Sequence, residues 1–152
     1  MADVNVLLSE MPLDPAQAHA DFLRANGCHG AVASFVGVVR EAGGAIDYLY
    51  LDWYPGMSEA SLQVIAEAAS EVFDIKALSI QHRCGRVTAR EPVVFVAAAS
   101  AHRRAAFEAV DYMMDRLKSE AALWKREVGP NIDHWVEPTP MDAADLKRWS
   151  RT

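Results

Sequence analysis

Long apolar runs, paired cysteines and an excess of basic charge are all missing from this 152-residue sequence, and each absence removes a class of function. No apolar stretch approaches the roughly 20 residues that a membrane-spanning helix needs. The N-terminus, Met1-Ala2-Asp3-Val4, lacks the basic start and apolar stretch of a secretory signal, so a cytoplasmic protein is expected. Two cysteines, Cys28 and Cys84, make neither a disulfide framework nor a CxxC motif, and read as buried free thiols. The formal net charge of −6 disfavours general nucleic-acid binding, whose affinity comes largely from neutralised phosphates. There is no GxGxxG, P-loop, HExxH or GxSxG. His19, His29, His82, His102 and His134 show no metal-ligand spacing, so neither a metal nor a bound cofactor is expected. His82 alternates with Leu78 and Ile80 and reads as a core or sheet-surface histidine.

With 51% hydrophobic and 24% charged residues, the chain reads as one globular domain spanning 1–152. Val4 to Leu8 suggests a strand. Asp14-Pro15 opens a helix that stops near Asn26-Gly27. Residues 30–40 are apolar in both alternating sets, which predicts a strand covered on both faces. A strand over 46–54 places Leu49, Leu51 and Trp53 on one face. After Pro55-Gly56, Ser58 is expected to cap a helix with the stripe Leu62, Ile65, Ala66, Ala69, Val72 and Phe73. A strand over 77–83, a loop at Gly85 and a strand over 93–99 follow. Ser100 is expected to cap the longest helix, about 101–120, with Ala106, Ala109, Val110, Met113 and Leu117 inward. Trp124–Val128 and His134–Glu137 read as a hairpin around Gly129-Pro130-Asn131, and a short helix over 141–149 closes the chain. This mixture lacks strict βαβ alternation, so the fold class is α+β.

The cations carry the chemistry. His102, Arg103 and Arg104 stand where a helix starts, and the dipole there disfavours positive charge. Free N–H groups at that end and a planar arginine fork both suit phosphate or carboxylate. Arg104 also has Glu108 one turn on as an ion-pair partner. Lys118, near the helix end, has Asp115. Lys125 and Arg126 are neighbours on a strand, so only one of them can line a given face.

SFVGVVR at 34–40, YPGMSE at 54–59, QHRCG at 81–85, SAHRRAAFEA at 100–109, DRLKSEAALWKRE at 115–127 and HWVE at 134–137 together closely resemble the large, catalytic subunit family of molybdopterin synthase. The resemblance runs from about Gly30 to Trp149. It implies a hammerhead-like two-layer α+β fold with a mixed or antiparallel sheet. It also implies conversion of cyclic pyranopterin monophosphate to molybdopterin. Two sulfurs would come from the C-terminal Gly-Gly thiocarboxylate of a small ubiquitin-like carrier subunit, which is why no nucleophilic cysteine is needed. By resemblance, substrate contacts fall on Val38, Val39, Arg40, His102, Arg103, Arg126 and Glu127, and the catalytic pair is Lys118 and Lys125. A lysine crowded by cations has a lowered pKa and suits proton transfer. The chain departs from the family at Pro138-Thr139-Pro140, where an arginine is often found.

Arg103 and Lys118 lie fifteen positions apart on one expected helix without Pro or Gly, a span of about 22 Å. One small pterin phosphate does not bridge that distance. A homodimer in which each copy completes the other's pocket resolves the conflict, and with one carrier per site it becomes a heterotetramer. The rival reading is a non-enzymatic module that docks the carrier's tail on a sheet edge. A phosphate-ester hydrolase lacks an activated nucleophile or metal set.

Overall fold

The computed structural model describes residues 2–150. Its elements are β1 (Asp3–Ser9), α1 (Pro15–Asn26), β2 (Ala31–Val38), β3 (Tyr48–Trp53), α2 (Met57–Val72), β4 (Ala77–Arg83), β5 (Gly85–Thr88), β6 (Pro92–Ser100), α3 (Arg103–Glu120), β7 (Leu123–Val128), β8 (Asp133–Val136) and α4 (Pro140–Lys147). They form two four-stranded sheets, ordered β1-β4-β6-β2 and β5-β3-β7-β8. The first is mixed, because β1 runs parallel to β4 while the other pairs are antiparallel. The second is antiparallel throughout and ends in the β7–β8 hairpin. The architecture is α+β, as the element pattern led us to expect.

Two apolar clusters hold the sheets. The larger packs α2 and α3 on the first sheet through Leu62, Ile65, Leu78, Ile80, Val96, Met113 and Leu117. The smaller lies against the second sheet around Val39, Ile46, Leu51, Cys84, Val87 and Leu123. Between β4 and β5 the chain changes sheet. Gly85 turns there at φ +77, a conformation that L side chains rarely adopt. Arg83, 4% exposed, secures the joint by donating to the carbonyls of Glu10 (3.0 Å) and Arg86 (3.1 Å) and pairing with Glu91. The loop expected at Gly85 is therefore strand β5. Its four residues are too short to show a period, and pairing with β3 is what makes them a strand.

Other local expectations shift for similar reasons. β2 is an edge strand, and Phe35, Val36 and Val38 are 43%, 39% and 49% exposed instead of covered on both faces. An apolar sequence reports that a face is apolar, not that this chain covers it. Gly56, not Ser58, takes the N-cap position of α2, and Glu59 accepts from its N–H at 2.8 Å. Val72 is 58% exposed, outside the buried stripe that Leu62, Ile65, Ala66 and Ala69 form. His102 holds the N-cap position of α3, because Ser100 still belongs to β6 and its hydroxyl donates to the carbonyl of His102. All five residues expected on the inner face of α3 are buried. Cys84 is buried, but Cys28 is exposed in the short 3-10 turn after α1.

Candidate active site

Lys118 and Lys125 come together because the link between α3 and β7 is tied down. Ser58, fully buried, accepts from the N–H of Tyr54 (2.9 Å) and donates to the carbonyl of Ala122 (2.6 Å). Ser61 accepts from the N–H of Ala122 at 2.9 Å. The two hydroxyls of α2 thus fix the turn between the last turn of α3, which carries Lys118, and the third residue of β7, Lys125. Asp115 does not pair with Lys118. It accepts from Arg148 (2.7 Å) and from the indole N–H of Trp149 (2.6 Å), which clasps the C-terminal segment onto α3. Arg104 and Glu108 do not form an ion pair among the described residues.

Partial burial, reinforced by the nearby charge of Lys118, pulls the pKa of Lys125 from its ordinary 10.5 down to about 8, with Asp142 at the start of α4 opposing the shift. A lysine at that value exchanges protons near neutral pH. His82 shares the neighbourhood. It is 5% exposed, its Nδ1 lies 2.7 Å from the carbonyl of Arg83, and burial lowers its pKa to about 4, with Lys125 and Lys118 pushing the same way. With Nδ1–H donating to that carbonyl, Nε2 is left as an acceptor on a neutral ring. The alternation with Leu78 and Ile80 correctly placed His82 in the sheet. Only the fold brings it within reach of the lysines' charge, since its strand lies some forty positions away in the chain.

This histidine makes stability pH-dependent. The folded state keeps His82 neutral down to about pH 4, whereas the unfolded chain takes up the proton near 6.5. Its contribution is therefore complete above about pH 6.5 and is lost as pH falls toward 4, by about 3 kcal/mol in all. His82→Asn, which keeps a donor toward Arg83, should flatten unfolding free energy over that window when denaturant melts are compared. An equally steep acid limb in the variant would contradict this.

The remaining candidates fall on separate surfaces. Val39 is turned into the core, with its N–H bonded to Glu91 and its carbonyl to Arg90, while Val38 and Arg40 on either side point outward. On β7, Lys125 and Glu127 share a face with Leu123. Lys125 lies opposite Leu51 and Val136, and Glu127 lies opposite Leu49 and His134. Glu127 pairs with both Arg40 (3.8 Å) and His134 (3.4 Å). Arg126 takes the opposite face, beside Asp133 at 3.5 Å and over the rings of Tyr50 and Trp135. His102 and Arg103 line a cleft with Gly30, Ala31, Ala101, Arg104 and Phe107 at the far end of α3, which runs unbroken for 18 residues. One chain therefore assembles Arg40, Lys118, Lys125 and Glu127 on one side and His102 with Arg103 on another. Among the described residues, no group of three His, Cys, Asp or Glu side chains is placed to hold a metal ion. Among the same residues, no helix is long and apolar enough to cross a membrane.

Comparison with known proteins adds a consistent identity to this geometry. The family model described as MoaE protein matches residues 8–120. The molybdopterin synthase catalytic subunit of Caulobacter vibrioides is 43% identical over 146 residues, covering 96% of this chain and 97% of that one. The subunit of the same name from Escherichia coli is 36% identical over 151 residues, covering 98% and 100%. Among solved structures, the molybdopterin biosynthesis MoaE protein of Burkholderia ambifaria superposes with a TM-score of 0.79 at 35% identity over the whole of both chains. Molybdopterin synthase from Staphylococcus aureus gives 0.73 at 27% identity, covering 90% of this chain and 98% of that one. The chain belongs to the MoaE family, that of the molybdopterin synthase catalytic subunits.

Proposed function

We propose that this chain, acting as one domain over residues 1–152, is the sulfurtransferase subunit that converts cyclic pyranopterin monophosphate to molybdopterin. It takes both sulfurs from the thiocarboxylated Gly-Gly tail of a small ubiquitin-like carrier. The observation that carries the reading is the pinned turn that brings Lys118 and Lys125 near enough for their charges to act on each other, with a neutral histidine in the same neighbourhood. Lys125 moves the proton, and Lys118 supplies fixed positive charge for the oxyanion that develops at the tail. Arg40 takes the substrate's anionic group as a planar fork. The backbone around Val38 and Val39 shapes that edge, Glu127 orients Arg40, and Arg126 braces the hairpin from its other face. Where relatives often carry an arginine after WVE, Thr139 caps α4 in a reciprocal box with Asp142, so its hydroxyl is engaged in the cap. The two unpaired cysteines fit a reducing compartment, and we place the reaction in the cytoplasm.

The 18-residue length of α3 supports a composite site, in which His102 and Arg103 of a second copy complete the pocket built on Lys118 and Lys125. With a carrier at each site the assembly is a heterotetramer. Two tests apply. Incubation with cyclic pyranopterin monophosphate and a thiocarboxylated carrier should yield the dithiolene product, and its absence with a cognate carrier would leave only a tail-docking module. Mixing Arg103→Ala with Lys118→Ala subunits should restore about a quarter of normal activity, since half of the mixed dimers' sites are intact. No recovery, with subunit exchange verified, would rule out sharing.

A further inference from the structure

We propose that His134 is a positioning residue for anion binding, which acts through Glu127 to set how Arg40 presents its guanidinium. The inference rests on the reading of Arg40 given above. His134 lies directly across the β7–β8 ladder from Glu127. Its Nε2 is 3.4 Å from one oxygen of the Glu127 carboxylate, and the other oxygen is 3.8 Å from a terminal nitrogen of Arg40. The side chains differ sharply in exposure: Glu127 is 16% exposed, His134 55% and Arg40 78%.

A carboxylate so far withdrawn from water needs polar partners, and here each oxygen faces one, His134 at 3.4 Å and Arg40 at 3.8 Å. His134, the nearer of the two, biases the first oxygen and with it the plane of the carboxylate. The second oxygen faces Arg40 from beyond hydrogen-bond range. Arg40 is thus steered by charge without being locked, and its N–H fork stays available to an incoming phosphate. When the His134 imidazole is removed, Arg40 is left as the remaining polar partner of a largely buried carboxylate. That pair closes into the shorter bidentate contact that arginine and carboxylate prefer. The substrate's anion must then compete with Glu127 for the same fork.

The consequence is a defect in substrate affinity, not in turnover. His134→Leu should raise KM for cyclic pyranopterin monophosphate about fivefold to tenfold, the scale of one ordinary polar contact, with kcat little changed. His134→Gln carries an amide N–H at about the reach of Nε2 and should restore KM. Arg40→Ala should raise KM at least as far, and in that background His134→Leu should add nothing. If Arg40→Ala leaves KM unchanged, the anion role of Arg40 fails and the inference falls with it. If Arg40→Ala raises KM but His134→Leu does not, or if His134→Gln fails to rescue, the positioning role of His134 is overturned while the role of Arg40 stands.

Discussion

Lys125→Ala is expected to slow sulfur transfer by about two to four orders of magnitude, the range that a positioned proton-transfer group contributes. Arginine should not substitute for it, because a guanidinium does not release its proton at working pH. The pKa of about 8 fixes the form of the pH profile. Roughly a tenth of Lys125 is neutral at pH 7. If the neutral amine is the active form, single-turnover rate climbs with pH and levels off above about 8. Lys118 contributes to that value through its charge, so Lys118→Met should move the inflection upward as well as remove the charge that steadies the oxyanion. Both effects are read in one experiment, single-turnover transfer across pH 6–10. A normal rate for Lys118→Ala, or an inflection that stays in place, would refute the division of roles.

The second large effect is expected at a residue that touches no substrate. A Cβ on Gly129 would stand 1.8 Å from the carbonyl oxygen of Ala45, which side-chain rotation cannot relieve because the obstacle is backbone. The same hairpin end is tied by Gly129 N–H to Ile132 (2.9 Å) and by Asp47 N–H to Val128 (2.8 Å). Gly129→Ala should therefore cost about 3 kcal/mol, the upper end of overpacking penalties, and lower Tm by roughly 10 °C. Activity should fall with it, because the displaced strands carry Lys125, Glu127 and His134. Gly27→Ala is the control. Gly27 is in a right-handed helical conformation and a Cβ there meets nothing within 4 Å, so Tm should be unchanged or slightly higher. Equal melting of the two variants would show that the loop carrying Ala45 yields easily.

Much of the fold was legible in the chain. The Asp14-Pro15 start of α1, the inner stripe of α3 and the β7–β8 hairpin follow from capping, period and turn chemistry, which act between residues a few positions apart. The errors have a common cause. Ser58 was expected to cap a helix, because local pattern favours a hydroxyl there. It is buried instead, holding a carbonyl 64 positions away. β2 was expected to be covered on both faces, but its place at the sheet edge is set by which strands pair, and apolar content does not encode pairing.

The same division applies to the basic residues. Their types, the helix that separates Arg103 from Lys118, and the alternation that parts Lys125 from Arg126 are all written in the sequence, because helical rise and strand pleat are local geometry. The family resemblance rests on those residues as well. Tertiary structure alone decided that the Ser58 and Ser61 hydroxyls fix the turn between Lys118 and Lys125, that His82 feels the charge of both, and that Glu127 faces Arg40 and His134. Each of these joins residues distant in the chain. The burial and charge that lower the pKa of Lys125 exist only once the chain has closed around it.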